Sequence, residues 1–355
     1  MVMVGPWLAV AVLLSVTLTN AAGADEAAVI AALSRLDATF ERDEQQPGKP
    51  VVTAVLRYAG SRVTDREVRA LGEFKQLQSL DLRNTAVTDA GLKVVAGLQY
   101  LRKLDLRATA VTDAGLKELL GLQRLRRLNL ALTRITNAGL VHVGRLKNLE
   151  WLHLDGARVG DGGLRPLKGL HELWWLNLGS TMVTDAGLQE LKDLPSLRSL
   201  NLSHTRVTDA GLKHLRDIRG LRTLNLADTK VTDAGLADLK EIGGLETLYL
   251  YWTGVPDAGM KELSACRSLK EVHVGMSEVT ESGMKELKEA LPGCEVAGMP
   301  VSGRSATTEA GPTPLANTVM VAALALAILL LAGLWVRRGR AARARAGAGS
   351  TPLAR

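Results

Sequence analysis

Aromatic side chains are scarce: Phe, Trp and Tyr make up only 3% of the 355 residues. Cysteine is scarcer still. Two residues, Cys266 and Cys294, exclude a disulfide-dense scaffold and any four-cysteine zinc or iron–sulfur centre. No glycine-rich phosphate loop is present, and the six histidines (142, 153, 171, 204, 214 and 273) form no metal-ligand spacing. Hydrophobic residues are plentiful at 46%, which excludes a disordered chain. Lys and Arg number 44 against 37 acids, a net charge of +7. Such a balance suits a nucleic-acid or membrane-surface binder, so the location of the charge decides its meaning.

Residues 1–24 carry no charged side chain. An apolar run from Leu8 to Leu18 leads to Ala22-Gly23-Ala24, the small residues a signal peptidase needs, and then to Asp25-Glu26. The pattern predicts a secretory signal peptide cut after Ala24. An uncleaved anchor is disfavoured because Thr17, Thr19 and Asn20 interrupt the run short of a ~20-residue span. Residues 317–336 (NTVMVAALALAILLLAGLWV) are uncharged throughout, enough for a helix of ~30 Å, the thickness of a bilayer core. A transmembrane helix in contact with the lipid bilayer is expected there, with Trp335 at the interface. Arg337, Arg338, Arg340, Arg343, Arg345 and Arg355 follow, with no lysine or acid. The positive-inside rule then makes the tail 337–355 cytoplasmic and the preceding chain extracytoplasmic, periplasmic or extracellular. Six of the seven excess charges belong to that tail, so residues 1–336 carry +1. The basic balance orients a membrane helix, and no nucleic-acid partner is expected.

Between the ends the chain repeats every 24 residues. An acid or amide recurs at Asp65, Asp89, Asp113, Asn137, Asp161, Asp185, Asp209, Asp233, Asp257 and Glu281 without insertion. Around it runs a pattern such as Leu101, Leu104 and Leu106, then Thr109, Val111, Thr112-Asp113, Leu116 and Leu119. Leucines at two-residue alternation point inward from a short strand, and Thr-Asp supplies N-cap oxygens for a short helix that returns leucines to the core. Thr85, Thr109, Thr133, Thr181, Thr205, Thr229 and Thr253 share one register, where a hydroxyl can bond loop backbone between adjacent turns. Ala157 and Ser277 depart from it, as does Ser61. Stacking such units gives an α/β solenoid, a horseshoe with a concave parallel sheet and convex helices, over residues 51–298.

The VTDAGL signature resembles the cysteine-containing and ribonuclease-inhibitor-like leucine-rich repeats, and is similar to the regular VTDAGL repeat proteins of bacteria. The resemblance covers about 70% of the chain. It implies a binding scaffold with diverse partners and no shared chemistry. Both ends need covering. Residues 25–50 provide an amphipathic helix over Ala27 to Phe40, with Val29, Ile30, Leu33 and Leu36 on one side, and a turn over Gln45 to Pro50. The first strand is read as Val51 to Tyr58. Residues 299–316, rich in Pro, Ser, Thr and Gly, form a flexible linker.

The recurring acids are helix caps in this reading, not catalytic groups, so neither an enzyme nor a cofactor is implied. Cys266 and Cys294 fall in adjacent layers, either as a disulfide or as two buried thiols. The positions that the repeat does not dictate are the outward strand residues. One column runs Ser79, Lys103, Arg127, Trp151, Trp175, Ser199, Thr223, Thr247 and Glu271. The next runs Asp81, Asp105, Asn129, His153, Asn177, Asn201, Asn225, Tyr249 and His273. A third runs Arg83, Arg107, Ala131, Asp155, Gly179, Ser203, Ala227, Tyr251 and Gly275. Six of the scarce aromatics, Trp151, Trp174, Trp175, Tyr249, Tyr251 and Trp252, lie on or beside these columns. Outward Trp and Tyr are typical binding hot spots. Arg102, Lys103, Arg107, Arg126 and Arg127 add a basic zone beside the tryptophans.

The candidate partner-binding residues are therefore Trp151, Trp175, Tyr249, Tyr251, Trp252, His153, Asp155, Asn177, Arg107 and Arg127. They predict a monomeric, membrane-anchored protein that binds a protein, peptide or surface polymer on its concave face. A structural envelope scaffold and an intracellular adaptor are the alternatives; the adaptor conflicts with both hydrophobic ends.

Overall fold

A computed structural model describes residues 26–57 and 62–299. The chain divides into two units, Met1–Ser302 and Gly303–Arg355, and every described residue belongs to the first. The expected signal peptide 1–24, transmembrane helix 317–336 and tail 337–355 lie outside the described residues, as does the linker beyond Met299. Among the described residues no helix is long and apolar enough to cross a membrane.

Twelve strands form one sheet whose order follows the chain. Thr39–Arg42 (β1) pairs antiparallel with Val51–Val55 (β2). Parallel three-residue strands follow: Ser79–Asp81 (β3), Lys103–Asp105 (β4), Arg127–Asn129 (β5), Trp151–His153 (β6) and Trp175–Asn177 (β7). Ser199–Asn201 (β8), Thr223–Asn225 (β9), Thr247–Tyr249 (β10), Glu271–His273 (β11) and Glu295–Ala297 (β12) complete the sheet. The central residue of each strand from β3 to β10 is a leucine, and all are at most 2% exposed. The leucines before and after each strand join the same continuous core. Stacked repeats thus bury what one repeat alone would leave wet.

The N-terminal cap differs from its expected form. The helix runs only over Glu26–Ser34, with Val29 and Leu33 buried. Thr39 and Phe40 belong to β1 instead. Phe40 meets Phe74 edge-on at 5.5 Å between ring centres. An antiparallel strand hydrogen-bonds the otherwise open edge of β2, which a helix could not do. The first parallel strand ends at Val55, short of the expected Tyr58.

The recurring acid also works differently. The N-cap is the threonine, as at Thr112, whose oxygen accepts from Ala114 N–H at 3.3 Å. The aspartate after it, in the first helical turn, reaches across to the next repeat. Asp89 accepts from Thr112 N–H at 2.8 Å and from the Thr112 hydroxyl at 2.6 Å. Asp161 holds Thr184 and Asp185 holds Thr208 in the same way. Each aspartate is an inter-repeat staple made of two charge-assisted bonds.

Two exceptions follow the chemistry. Asn137 has one acceptor oxygen, and its partner, Gly160, offers only an N–H, at 2.8 Å. Opposite Asp233 the threonine is replaced by Pro256, which has neither donor. The staple also explains the glycine of the DAGL motif. A Cβ on Gly187 would lie 2.5 Å from Asp161 Oδ1, so the staple from the preceding repeat occupies that space.

The buried threonines, too, act within their own turn. Thr85 Oγ1 donates to the Leu82 carbonyl at 2.6 Å and Thr181 Oγ1 to that of Leu178, also at 2.6 Å. The expected bond between adjacent turns is carried by backbone instead: the residue before each threonine is left-handed and its N–H reaches the next repeat. Ser180 has φ 54° and donates to the Ser203 carbonyl at 2.8 Å.

Candidate strand-face binding site

The strand register places the first two outward columns as the sequence pattern requires; the third lies beyond the strand ends, with Ala131, Ser203 and Ala227 buried. Trp151 pairs with Trp175 and His153 with Asn177. The two indoles stack, with ring centres 4.3 Å apart and planes 8° from parallel. His153 lies edge-on to both rings, 5.4 Å from each. Its Nε2 faces the Asn177 amide nitrogen at 2.9 Å, so Nε2 accepts and the neutral ring carries its proton on Nδ1. Asn177 cannot readily turn over, because its Oδ1 accepts from Gly179 N–H at 2.7 Å. Burial pushes the His153 pKa down, and the Arg107 charge adds to that. Asp155 and Asp105 oppose it.

A second aromatic island lies on β10 and β11. Tyr249 stacks on His273 at 4.6 Å, and the Tyr251 hydroxyl lies 3.1 Å from His273 Nδ1. The islands do not touch. Between them, β8 and β9 present Ser199, Asn201, Thr223 and Asn225. Asn201 and Asn225 each accept, through Oδ1, the N–H two residues ahead at 2.9 Å.

Trp252 stands apart from the sheet face. It has φ 54° and occupies the left-handed rim position, where it is 55% exposed. Leu132 and Met276 share that rim column and are also exposed. Trp252 approaches Tyr251 at 6.4 Å and His204 at 6.5 Å, so it borders the second island from the side.

The N-terminal third of the face joins two of the candidates, Arg127 and Trp151, to residues that were not among them. Asp81, Arg83, Lys103, Asp105, Arg127, Asn129 and Trp151 line an open cleft of about 350 Å³. Asp81 is held by the Arg83 guanidinium at 2.9 Å and by Arg57 at 3.5 Å. Asp105 takes Arg83 at 3.4 Å, the Asn129 amide at 3.1 Å and the Arg107 N–H at 2.9 Å. The outward columns contained all these residues except Arg57, but nothing in the repeat marks where a charge becomes neutralised.

Cys266 and Cys294 are free thiols, both buried. Burial pushes the Cys266 pKa up to about 11, and that of Cys294 upward as well, helped by the Glu271 charge. Among the described residues no group of three His, Cys, Asp or Glu side chains could hold a metal ion.

Residues 61–231 match a family model described as a leucine-rich repeat region. Over these residues the chain is a leucine-rich-repeat protein. No curated protein matches it. Among solved structures, a leucine-rich-repeat protein of Leptospira interrogans is 22% identical, with a TM-score of 0.51. That match covers 64% of this leucine-rich-repeat chain and 56% of the other. The mouse RP105/MD-1 complex matches at 17% identity and a TM-score of 0.52, over 64% of this chain and 39% of the other. The chain therefore spans about half the length of these relatives. Identities this low establish the fold alone and leave the partner to the residues on the face.

Proposed function

We propose that this leucine-rich-repeat protein is a membrane-anchored binding protein, with its sheet face outside the cytoplasm and a protein or peptide as its partner. One observation carries the reading: four of the scarce aromatics, Trp151, Trp175, Tyr249 and Tyr251, stand on the one sheet face that the repeat leaves free to vary. The two islands are separated by two strands, ~14 Å across at a strand spacing of ~4.8 Å. That spread suits an extended partner better than a small molecule in a closed pocket. The RP105/MD-1 complex gives a precedent for a protein partner on this fold. The uncharged stretch 317–336 and the six arginines after it support a single membrane span with a cytoplasmic tail.

Replacing Trp151, Trp175, Tyr249 and Tyr251 together by Ala should leave the thermal transition of the repeats in place. It should also remove the proteins crosslinked to the full chain on native membranes. Recovery of the same crosslinked proteins in equal yield would overturn the sheet-face reading. For topology, protease added to intact cells should remove the repeats and leave a short arginine-rich membrane fragment. Release of the intact chain by carbonate would contradict the anchor.

A further inference from the structure

The 350 Å³ cleft between β3 and β6 combines three features. Its acids are already satisfied: Asp81 by Arg83 and Arg57, and Asp105 by Arg83 and Asn129. Two of its cations are not. Lys103 and Arg127 sit side by side in register on β4 and β5, both exposed, and among the described residues neither forms an ion pair with an acid. Finally, Trp151 closes the cleft at its far end. Its other face is taken by Trp175, so one indole face remains for a ligand.

Beyond the tryptophans the face stays rich in donors. Asn201 and Asn225, on neighbouring strands, continue the Asn177 column, two residues along each strand from the column of Lys103, Arg127 and the tryptophans.

From this arrangement we infer that the face takes an extended acidic segment of a partner protein. An Asp or Glu carboxylate of that segment sits between Lys103 and Arg127, and an adjacent flat or apolar side chain lies on Trp151. This deepens the sheet-face reading and rests on it. Charge complementarity selects the occupant: two cations with no ion-pair partner among the described residues take a carboxylate, the asparagine amides take further acceptors, and the half-buried Trp151 indole takes an apolar plane beside them. An extended peptide supplies both, because it can carry a carboxylate and an apolar side chain close together and presents carbonyl acceptors along its length. A polyuronate would supply carboxylates and rings in another order, and the test separates it.

The probe is the dye-labelled peptide Glu-Glu-Phe-Glu-Glu, capped at both ends, with its glutamine analogue as control. Fluorescence anisotropy is read on the full chain in detergent. The acidic peptide should bind about tenfold more tightly than the analogue, and the double variant K103Q/R127Q should erase that difference. Both positions are exposed, so the variant's circular dichroism and melting temperature should match the parent. Should the variant not fold, the comparison of the two peptides on the parent chain decides alone.

Equal binding of the two peptides, or undiminished preference for the acidic one in the variant, overturns the inference. Binding of polygalacturonate without the acidic peptide does the same. The sheet-face reading can survive that failure. If K103Q/R127Q keeps the crosslinked membrane partners while the aromatic-to-Ala variant loses them, the face binds a partner that is not acidic.

Discussion

Each aspartate staple converts one side chain into two bonds across a repeat junction. Asp185 bonds both the Thr208 N–H and its hydroxyl, so D185A leaves two part-buried donors without their acceptor. The expected loss is about 2–4 kcal/mol in urea unfolding. Gly187→Ala forces its Cβ against Asp161 Oδ1 and should cost about 1–3 kcal/mol by overpacking. Combined with D161A it should cost less than the sum of the two, because the clash is then gone.

His153 gives a pH dependence. Its pKa in the folded state lies below the ordinary 6.5, chiefly because it is buried against the two indoles. Below that ordinary value the unfolded chain takes up a proton that the folded chain refuses. This contribution to stability is therefore complete above about pH 6.5 and is lost as pH falls toward the lowered folded value. H153Q should flatten that part of the curve of melting temperature against pH. Protonation also sets an N–H against the Asn177 amide, which the Gly179 N–H holds in place. The two buried thiols should be silent toward a thiol reagent at pH 8 in the native chain and both should react once it is unfolded.

At the scale of elements, the repeats are coupled junction by junction, so one weak junction weakens the array locally. Pro256 supplies neither donor opposite Asp233, whereas Thr280 in the next repeat bonds Asp257 through both its N–H and its hydroxyl. Amide exchange should therefore be faster around Pro256 than around Thr208, and P256T should slow it, with a gain of about 1 kcal/mol.

The period of 24 and the two-residue alternation within each strand set the register, so the first two outward columns, with Trp151 and Trp175 in one of them, were legible in advance. The role of the aspartate was not. An oxygen that caps its own helix and one that reaches the next repeat recur at the same spacing, so periodicity cannot separate them. The β1 strand escaped for a related reason. Thr39 and Phe40 continue an apolar helical pattern, and only the open edge of β2 requires a strand there. Trp252 follows Tyr251 directly, yet a left-handed backbone turns it onto the rim.

For the molecule as a whole, sequence and geometry divide the work. The core leucines recur in every repeat and define the scaffold. The face carries three unlike zones: a cleft with two cations that form no ion pair among the described residues, a stacked indole pair, and a Tyr–His island beyond an asparagine ladder. Nothing in the 24-residue repeat requires those zones, which is why a partner surface is their simplest physical account.

Site-directed photocrosslinking tests that account most directly. A benzoylphenylalanine at position 199, on the sheet face beside Trp175, is compared with one at position 192 on the helical side, both in the full chain on native membranes. Crosslinked partner from position 199 and none from 192 is the expected result. Crosslinks from 192 alone, or equally from both, would contradict a binding site on the sheet face.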